Sequence, residues 1–389
     1  MWDVYGEPEI QAVIECLKKG WLGGQGLTSE KFEQEIAKIF GKKYGVFVNS
    51  GSSANLLALA SLNLPKGIKV ITPACTFNTT AAPIIQLGLE PVFCDVGLNT
   101  YVASLWDFAH LITDEVKVIM LPNLVGNKPN WKLIKEYLKH RGRQDIVLIE
   151  DSCDTITTTP ESDISTTSFY ASHIITAGGT GGMVMFNNKY YKKIALKYRD
   201  WGRRGGDTED MDERFNHSHI QQIPYDFKFL YEVLGYNMKG SEMEAAFGLE
   251  QLNRLKEFQH VRRCNFERYL KNLKDVEDII LPDDGQFSNW LAIPLQIPTL
   301  GRTQLLKYLE GNNIQTRVCF AGNITRHPAY FVKYFEFFKN SDKIMEHGFL
   351  LGCHQGMSFD DIDYVCNLIK EYVKNPMACS KGQDKSDKI

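Results

Sequence analysis

The chain lacks the long hydrophobic run that a membrane-spanning helix requires, because no apolar stretch approaches the roughly 18 residues needed to cross a bilayer. Its N-terminus carries neither the basic region nor the apolar core of a secretory signal. The chain also lacks a large excess of charges of one sign, since the formal net charge is -3. That balance gives no reason to expect nucleic acid or an anionic membrane as a partner. We therefore expect a cytoplasmic protein that binds neither.

Paired cysteines are absent as well. The nine cysteines are scattered and include no Cys-x-x-Cys pair. An odd, dispersed set is typical of reduced thiols rather than of a disulfide framework or a zinc site. We therefore predict no bound metal.

The alternation of strands and helices indicates the fold class. Short apolar strands separated by helical segments run through the first 190 residues, which is typical of a mainly parallel sheet covered on both faces. After a long helix predicted over 241–274, the pattern changes to shorter strands near 291–295 and 314–318. We predict a large α/β domain over 1–250, a smaller α+β domain over 251–375 and a disordered tail at 376–389.

Candidate functional residues follow the predicted strands. Five positions just past a strand end are polar or aromatic: Ser52, Phe77, Asn123, Asp151 and His173. Because ligands of parallel sheets bind at the carboxyl ends of the strands, we expect these side chains to converge on one edge.

Two turns in this set have two interpretations each. Residues 50–55 (SGSSAN) open a helix after a strand, which provides either a phosphate seat at the positive helix end or a simple serine cap. Residues 168–182 (SFYASHIITAGGTGG) carry His173 on a glycine-rich turn. Such a turn is typical of a backbone segment that packs against a cofactor, and it is also typical of an ordinary hairpin.

Asp151 follows an apolar strand, so its carboxylate needs a cationic or donor partner. The protonated pyridine nitrogen of a pyridoxal-type ring is one such partner, with Phe77 stacking on the ring and the Ser52–Ser53 turn holding its phosphate. The alternatives are a structural aspartate and a core phenylalanine.

An ordinary pyridoxal enzyme carries a lysine where this chain has His173. Histidine cannot tether the cofactor, but it transfers protons near neutral pH. Pyridoxamine phosphate brings its own nitrogen and condenses with a ketone. This combination favours dehydration over amino transfer.

These residues match a known family. The chain resembles the DegT/DnrJ/EryC1/StrS sugar aminotransferases over roughly residues 5–373. The matching stretches are 50–56 (SGSSANL), 73–80 (PACTFNTT), 150–154 (EDSCD), 168–169 (SF) and 235–239 (GYNMK). The resemblance implies a fold type I pyridoxal-phosphate-dependent transferase. Within it, a histidine in place of the lysine marks the branch of nucleotide-sugar 3-dehydratases.

The resemblance also assigns roles. Asp151 pairs with the pyridine nitrogen, Asp154 lies near the ring hydroxyl, and His173 is the base. The remaining cofactor residues are Phe77 on the ring, Ser52, Ser53 and Ser168 on the phosphate, and Asn237 on the phosphate of a neighbouring subunit. The last assignment implies a homodimer with shared active sites. The stretches 124–127 and 320–326 also resemble the 3-dehydratases, and they supply Asn127, Asn323 and Arg326 as candidate substrate contacts.

The chain differs in two places from the branch that it resembles. Members acting on CDP-4-keto-6-deoxyglucose carry a cysteine cluster for a two-iron centre after the Asp-Trp-Gly-Arg segment, whereas residues 204–212 here contain no cysteine. We therefore expect no iron–sulfur cluster, with glutamate regenerating the aminated cofactor. The second departure is 178–182 (GGTGG), where the family usually has a Gly-Glu-Gly-Gly turn.

Two other functions stay open at this stage. One is a sugar 4-aminotransferase that has lost its lysine. The other is an inactive relative that serves as a scaffold, although retention of Asp151, Asn237 and the serine turn argues against it.

Overall fold

A computed structural model describes residues 4–205, 210–216, 219–283, 285 and 289–381 of this chain. Residues 204–212, where relatives carry the cysteine cluster, are therefore described only in part, because residues 206–209 lie outside these ranges.

A seven-stranded sheet forms the larger part of the fold. Its strands are β1 (Tyr44–Val48), β2 (Lys69–Pro73), β3 (Glu90–Cys94), β4 (Val116–Pro122), β5 (Val147–Asp151), β6 (Ile164–Ser168) and β7 (Gly182–Phe186). They lie in the order β1-β7-β6-β5-β4-β2-β3. β7 runs antiparallel to β1 and β6, and all other neighbours are parallel. The mainly parallel sheet expected from the sequence is thus confirmed.

Helices cover both faces of this sheet. The helices in this part of the chain are α1 (Glu7–Lys19), α2 (Leu27–Ile39), α3 (Gly51–Ala60), α4 (Asn78–Gln86), α5 (Leu105–Phe108), α6 (Trp131–His140) and α7 (Lys189–Arg199). Buried apolar residues on β1, β4 and β7 pack against α3 on one face. On the other side of β1 and β7, Phe32 of α2 packs against Phe47 and Phe169.

A short helix, α8 (Met211–Asn216), and a hairpin of β8 (His219–Ile220) and β9 (Ile223–Pro224) follow. The chain then continues into α9 (Glu242–Asn253) and α10 (Leu255–Leu273). The prediction of a single long helix over 241–274 is therefore wrong, since the helix is interrupted at Arg254. The helical pattern runs across this break, so periodicity alone does not reveal it.

The smaller unit has a three-stranded antiparallel sheet. β12 (Gly348–Gly352) lies between β10 (Ala292–Gln296) and β11 (Thr316–Val318). Sequence analysis missed β12, because a short apolar run between glycines does not distinguish a strand from a buried helix end. The helices of this unit are α11 (Arg302–Gly311), α12 (Pro328–Tyr334), α13 (Lys339–His347), α14 (Phe359–Lys374) and α15 (Pro376–Lys381). α15 falls inside the segment for which we expected disorder, and residues 382–389 lie outside the described residues.

One hydrophobic core connects the two sheets. Buried residues of β4 and β5 belong to the same cluster as those of β10, β12 and α14. Within the described ranges, no helix has the length and apolar character needed to cross a membrane.

Candidate active site

Asp151 ends β5 at the carboxyl edge of the large sheet, where its side chain is 5% exposed. Its Oδ2 accepts hydrogen bonds from Asn55 Nδ2 at 2.8 Å and from Thr80 Oγ1 at 2.7 Å. The backbone N–H of Cys153 donates to Oδ1 at 3.2 Å. These donors satisfy the buried carboxylate and hold it in one orientation.

Sequence analysis did not assign Asn55 and Thr80 to Asp151. Both lie inside stretches that carry the family resemblance, at the starts of α3 and α4, but sequence spacing does not show which carboxylate they reach. Thr166 Oγ1 in turn donates to Asn55 Oδ1 at 2.6 Å, which fixes the amide orientation.

The serine turn forms the N-terminus of α3. Ser50 is the N-cap residue, and its Oγ accepts from the N–H of Ser53 at 3.1 Å. Ser52 is exposed and donates from Oγ to Thr79 Oγ1 at 3.1 Å. The first N–H groups of a helix lack intrahelical partners, so this end suits a phosphate. The structure therefore supports both interpretations of the turn, since Ser50 caps the helix while Ser52 stays accessible.

Gly51 brings this turn against the rest of the site. A Cβ atom at Gly51 would lie 2.7 Å from Cys153 Sγ and 2.7 Å from Ser168 Cβ. Only glycine fits at that separation. The serine turn after β1 therefore meets the ends of β5 and β6 at one point, although β7 lies between β1 and β6 in the sheet.

His173 lies on the turn between β6 and β7, and its side chain is partly buried. Its Nδ1 is hydrogen-bonded to the backbone carbonyl oxygen of Cys153. Because a carbonyl oxygen only accepts, Nδ1 carries the proton and the lone pair of the neutral ring is on Nε2. Burial lowers the pKa of His173, more than the hydrogen bond to Cys153 raises it. The imidazole is therefore a neutral base near pH 7.

Asp154 lies three residues beyond Asp151 and is 9% exposed. Its Oδ2 accepts from the N–H of Val125 at 2.8 Å. Burial raises the pKa of Asp154 to about 7, with a further contribution from the negative charge of Asp151. Val125 has a positive φ of 57°, which is rare for a β-branched residue, so this hydrogen bond helps to hold a strained turn.

Phe77 is 52% exposed at the start of α4, which contradicts the alternative of a core phenylalanine. Its ring lies 6.1 Å from that of Phe320 in an edge-on arrangement. Two backbone hydrogen bonds join the neighbouring segments, from Ala321 to Thr76 and from Ile324 to Ala74. The smaller unit therefore contributes to the rim of the site.

The candidate substrate residues lie in three different environments. Asn127 is 3% exposed and lines a cavity of about 270 Å³, with its Nδ2 donating to the Thr100 carbonyl at 2.9 Å. Arg326 lies at the surface and is paired with Asp342. The Asp342 hydrogen bond raises the pKa of Arg326.

Asn323 corrects an expectation. It is fully buried, and its Nδ2 donates to the Glu336 carbonyl and to Asp342 Oδ1, each at 3.0 Å. Its Oδ1 accepts from the N–H of Thr325 at 3.1 Å. Asn323 therefore stabilises the turn at Ile324–Arg326 and does not present a group to a ligand in this conformation.

Asn237 lies outside this cluster. Its side chain is exposed, and its backbone pairs with Asp200 in an isolated bridge. The next residue, Met238, accepts from the N–H of Asn49 beside the serine turn. Asn237 is thus on a surface that a second chain can reach.

The donor set fits a pyridoxal-type cofactor. A satisfied anionic carboxylate, an accessible helix N-terminus with a glycine contact, and an exposed aromatic ring lie at one sheet edge. These suit a pyridinium nitrogen, a phosphate and a ring face respectively.

The chain is similar to several known proteins. The Salmonella typhimurium lipopolysaccharide biosynthesis protein RfbH is 37% identical, over 95% of this chain and 90% of its own. A dTDP-4-dehydro-2,6-dideoxy-D-glucose 3-dehydratase of Saccharopolyspora spinosa is 36% identical, over 95% and 85%. A crystal structure of GDP-4-keto-6-deoxymannose-3-dehydratase with a trapped PLP-glutamate geminal diamine superposes with a TM-score of 0.83 at 29% identity, covering 94% of this chain and 98% of that one.

The fold is therefore α/β, that of fold type I pyridoxal-phosphate-dependent transferases, with the smaller unit after the large sheet. The sequence matches the family pattern over residues 4–370, which is nearly its whole length. This chain belongs to the DegT/DnrJ/EryC1/StrS aminotransferase family.

Proposed function

We propose that this protein removes the C3 hydroxyl of a nucleotide-linked 4-keto-6-deoxyhexose, using pyridoxamine phosphate as cofactor. The observation that carries the proposal is His173, a histidine where an aminotransferase needs a lysine, with Nδ1 held by the Cys153 carbonyl. Such a residue moves protons and cannot tether the cofactor. The 3-dehydratases among the relatives support the same reaction class.

When bound, pyridoxamine phosphate supplies the amino group that engages the substrate ketone and a ring that withdraws electrons. Asp151 would hold the ring nitrogen protonated, with Asn55 and Thr80 keeping that carboxylate in place. Asp154 would meet the ring hydroxyl, and Phe77 would stack on the ring. Ser52 and Ser53 at the N-terminus of α3, together with Ser168 at the end of β6, would bind the phosphate.

His173 acts through Nε2. The nitrogen accepts a proton from the reacting centre and then donates one to the departing C3 oxygen, which leaves as water. Asn127, in its cavity, and Arg326, at the rim, are the proposed contacts for the sugar nucleotide.

Glutamate re-aminates the cofactor in this scheme. Overall, the 4-keto sugar and glutamate give the 3-deoxy sugar, 2-oxoglutarate and ammonia, so glutamate supplies the two electrons that the deoxygenation consumes. The relative solved with a PLP–glutamate adduct supports this assignment. The chain has no cysteine between Cys153 and Cys264, so we propose that it uses neither an iron–sulfur cluster nor a reductase.

A homodimer with shared sites forms part of the proposal. The surface that surrounds Asn237 is rich in exposed aromatic and aliphatic side chains: Trp201, Phe229, Tyr231, Leu234 and Tyr236. Exposed apolar surface of this kind is typical of an interface. Asn237 then reaches the phosphate bound by the other subunit.

Mass spectrometry of products tests the proposal. The purified protein is incubated with pyridoxal phosphate, glutamate and each of the CDP-, GDP-, dTDP- and UDP-linked 4-keto-6-deoxyhexoses. We expect a 3-deoxy product with one ammonia and one 2-oxoglutarate per turnover, and none without glutamate. The controls are a reaction without enzyme and the His173→Asn variant. A product that retains the C3 oxygen in every case would contradict the proposal.

The second candidate is a nucleotide-sugar 4-aminotransferase, which the description of the family favours. It predicts a 4-amino sugar and 2-oxoglutarate without released ammonia. Failure to bind the cofactor at all would instead support a scaffold. The same incubation separates the three.

A further inference from the structure

A buried arginine contacts the backbone of the turn that carries His173. Arg262 of α10 is 2% exposed. Its Nη2 donates to the carbonyl oxygen of His173 at 3.4 Å, and its Nη1 donates to that of Leu291 at 2.8 Å. One guanidinium therefore connects the turn to the segment that enters β10.

Gln355 extends this contact. Arg262 Nε donates to Gln355 Oε1 at 2.7 Å, and Gln355 Nε2 donates to the carbonyl oxygen of Ile174 at 3.4 Å. Two consecutive carbonyl groups of the turn, those of His173 and Ile174, thus accept hydrogen bonds from Arg262 and Gln355. The side chain and the backbone of His173 are fixed by different parts of the chain.

The charge of Arg262 is not neutralised by a neighbour. Its acceptors are two carbonyls and an amide, and in the described part of the chain no carboxylate forms a salt bridge with it. Burial lowers the pKa of Arg262 to about 10, so the side chain stays cationic at neutral pH. A buried cation without a counter-ion is costly, and such perturbed groups are concentrated at functional sites.

Other groups also act on the His173 ring. Burial lowers the pKa of His173 most; the Cys153 carbonyl raises it, the Arg262 cation lowers it, and the negative charge of Asp151 raises it. The Tyr170 ring faces the imidazole edge-on at 6.2 Å between centroids.

Two further titratable groups lie near this cluster. The His354 pKa is lowered to about 3, chiefly by burial and also by Arg262, so that ring is neutral and adds no charge. The Asp154 pKa of about 7 makes this carboxyl partly neutral. Arg262 is therefore the cation that opposes Asp151 at the imidazole.

We propose that Arg262 is a positioning residue for His173: its guanidinium anchors the backbone of the catalytic turn to α10 and sets an unpaired positive charge behind the imidazole. This inference rests on the proposed function, in which a neutral His173 is the base. Gln355 completes the arrangement by fixing the guanidinium and the next carbonyl.

The two effects predict different consequences. Loss of the charge makes protonation of His173 easier, so less of the neutral base is present at a given pH. Loss of the hydrogen bonds alone displaces the turn without changing the protonation. Variants that separate charge from hydrogen bonding therefore distinguish them.

Three variants make this separation. Arg262→Met removes the charge and keeps the aliphatic bulk. Arg262→Lys keeps the charge but does not reproduce the planar contact with both Gln355 and Leu291. Gln355→Glu keeps an acceptor for Arg262 and adds a counter-ion, and it loses the hydrogen bond to the Ile174 carbonyl. The control is Arg263→Met on the same helix, which loses a surface salt bridge with Glu267.

The first measurement needs no turnover. Nitrogen-15 NMR of histidine-labelled, cofactor-free protein follows the protonation of His173, whose signals are assigned by their loss in His173→Asn. We expect the His173 midpoint to rise by roughly half to one pH unit in Arg262→Met and in Gln355→Glu, because a cation's repulsion is removed or cancelled. Arg262→Lys and Arg263→Met should stay near the wild type.

The second measurement is the pH dependence of kcat/KM for the 3-dehydratase reaction. The midpoint of its acid limb should move to higher pH by the same amount in Arg262→Met and Gln355→Glu. In Arg262→Lys the limb should stay in place while kcat falls and KM changes little, because positioning is impaired without a change in protonation.

The outcomes distinguish this inference from the proposed function. Unchanged His173 titration in both Arg262→Met and Gln355→Glu would overturn the inference, even if the wild type is a dehydratase. If Arg262→Met does not fold, the titration of His173 in Gln355→Glu alone tests the inference. A shifted titration in a protein that makes no 3-deoxy sugar would uphold the link between Arg262 and His173 and remove the proposed function.

Discussion

Nδ1 of His173 is hydrogen-bonded to the backbone carbonyl of Cys153, between the two aspartates Asp151 and Asp154. The contact determines which ring nitrogen carries the proton, so Nε2 is the available base. It also connects the turn after β6 to the end of β5. The proposed base and the carboxylate proposed to hold the cofactor ring are therefore positioned by one short segment of chain.

Replacement of His173 tests its role directly. His173→Asn should bind the cofactor with unchanged affinity and lose at least about 100-fold in kcat, because amide groups do not transfer protons at neutral pH. His173→Lys should attach added pyridoxal phosphate covalently and fail to dehydrate. Absorbance titration, and mass analysis after borohydride reduction, measure these outcomes. Full activity in His173→Asn would remove this residue from the mechanism.

Gly51 tests the glycine contact at the serine turn. Gly51→Ala places a methyl group 2.7 Å from Cys153 Sγ and Ser168 Cβ, so the turn has to move. We expect cofactor affinity to fall at least about tenfold, although alanine is otherwise favoured over glycine in a helix by about 1 kcal/mol. The control is Gly23→Ala, where a Cβ meets nothing within 4 Å. Equal affinities in the two variants would contradict the contact.

Thr80 tests the support of Asp151. Thr80→Val removes the hydroxyl that donates to Oδ2 at 2.7 Å and leaves a buried carboxylate oxygen with one donor fewer. A loss of about 1–3 kcal/mol in the free energy of unfolding is expected, together with weaker cofactor binding. Thr72→Val is the matched control, because the equally buried Thr72 Oγ1 has no partner among the described residues. Urea denaturation and cofactor titration measure both variants, and similar losses would show that Asp151 does not depend on Thr80.

His354 predicts how stability depends on pH. Its pKa falls from the ordinary 6.5 to about 3 in the folded protein. The unfolded chain therefore takes up the proton first, and stability is lost as the pH falls from 6.5 towards 3. His354→Asn keeps an acceptor for the Gly356 N–H and removes the titration.

Urea denaturation of cofactor-free protein at pH 7.5 and pH 5 measures this effect. The decrease in unfolding free energy between the two should be about 1–2 kcal/mol smaller in His354→Asn than in the wild type. His140→Asn, at the exposed end of α6, is the control for the loss of a histidine side chain. An unchanged difference in His354→Asn would show that His354 is not kept neutral by the fold.

Mixed dimers test the shared active site. His173→Asn and Asn237→Ala should each be inactive alone. If Asn237 acts in the partner's site, the mixed dimer has one site with both residues intact, so an equal mixture recovers about a quarter of wild-type activity. Sites contained within one chain would give no recovery on mixing. Light scattering establishes the dimer in the same samples.

The sequence by itself determined the sheet class and the candidate residues at its carboxyl edge. The alternation of strands and helices predicts the parallel sheet, and the positions of Asp151 and His173 after their strands place them at its carboxyl edge. These features are local, because side-chain period and turn composition act over a few residues. The family resemblance rests on the same short stretches.

Only the tertiary structure decided which groups hold these two residues. Asn55 and Thr80 reach Asp151 across 96 and 71 positions of sequence, and Arg262 reaches the His173 carbonyl across 89. Contacts at such separations depend on how the helices pack, which local patterns do not encode. For the same reason the sequence suggested that Asn323 meets a ligand, whereas packing buries its amide inside the smaller unit.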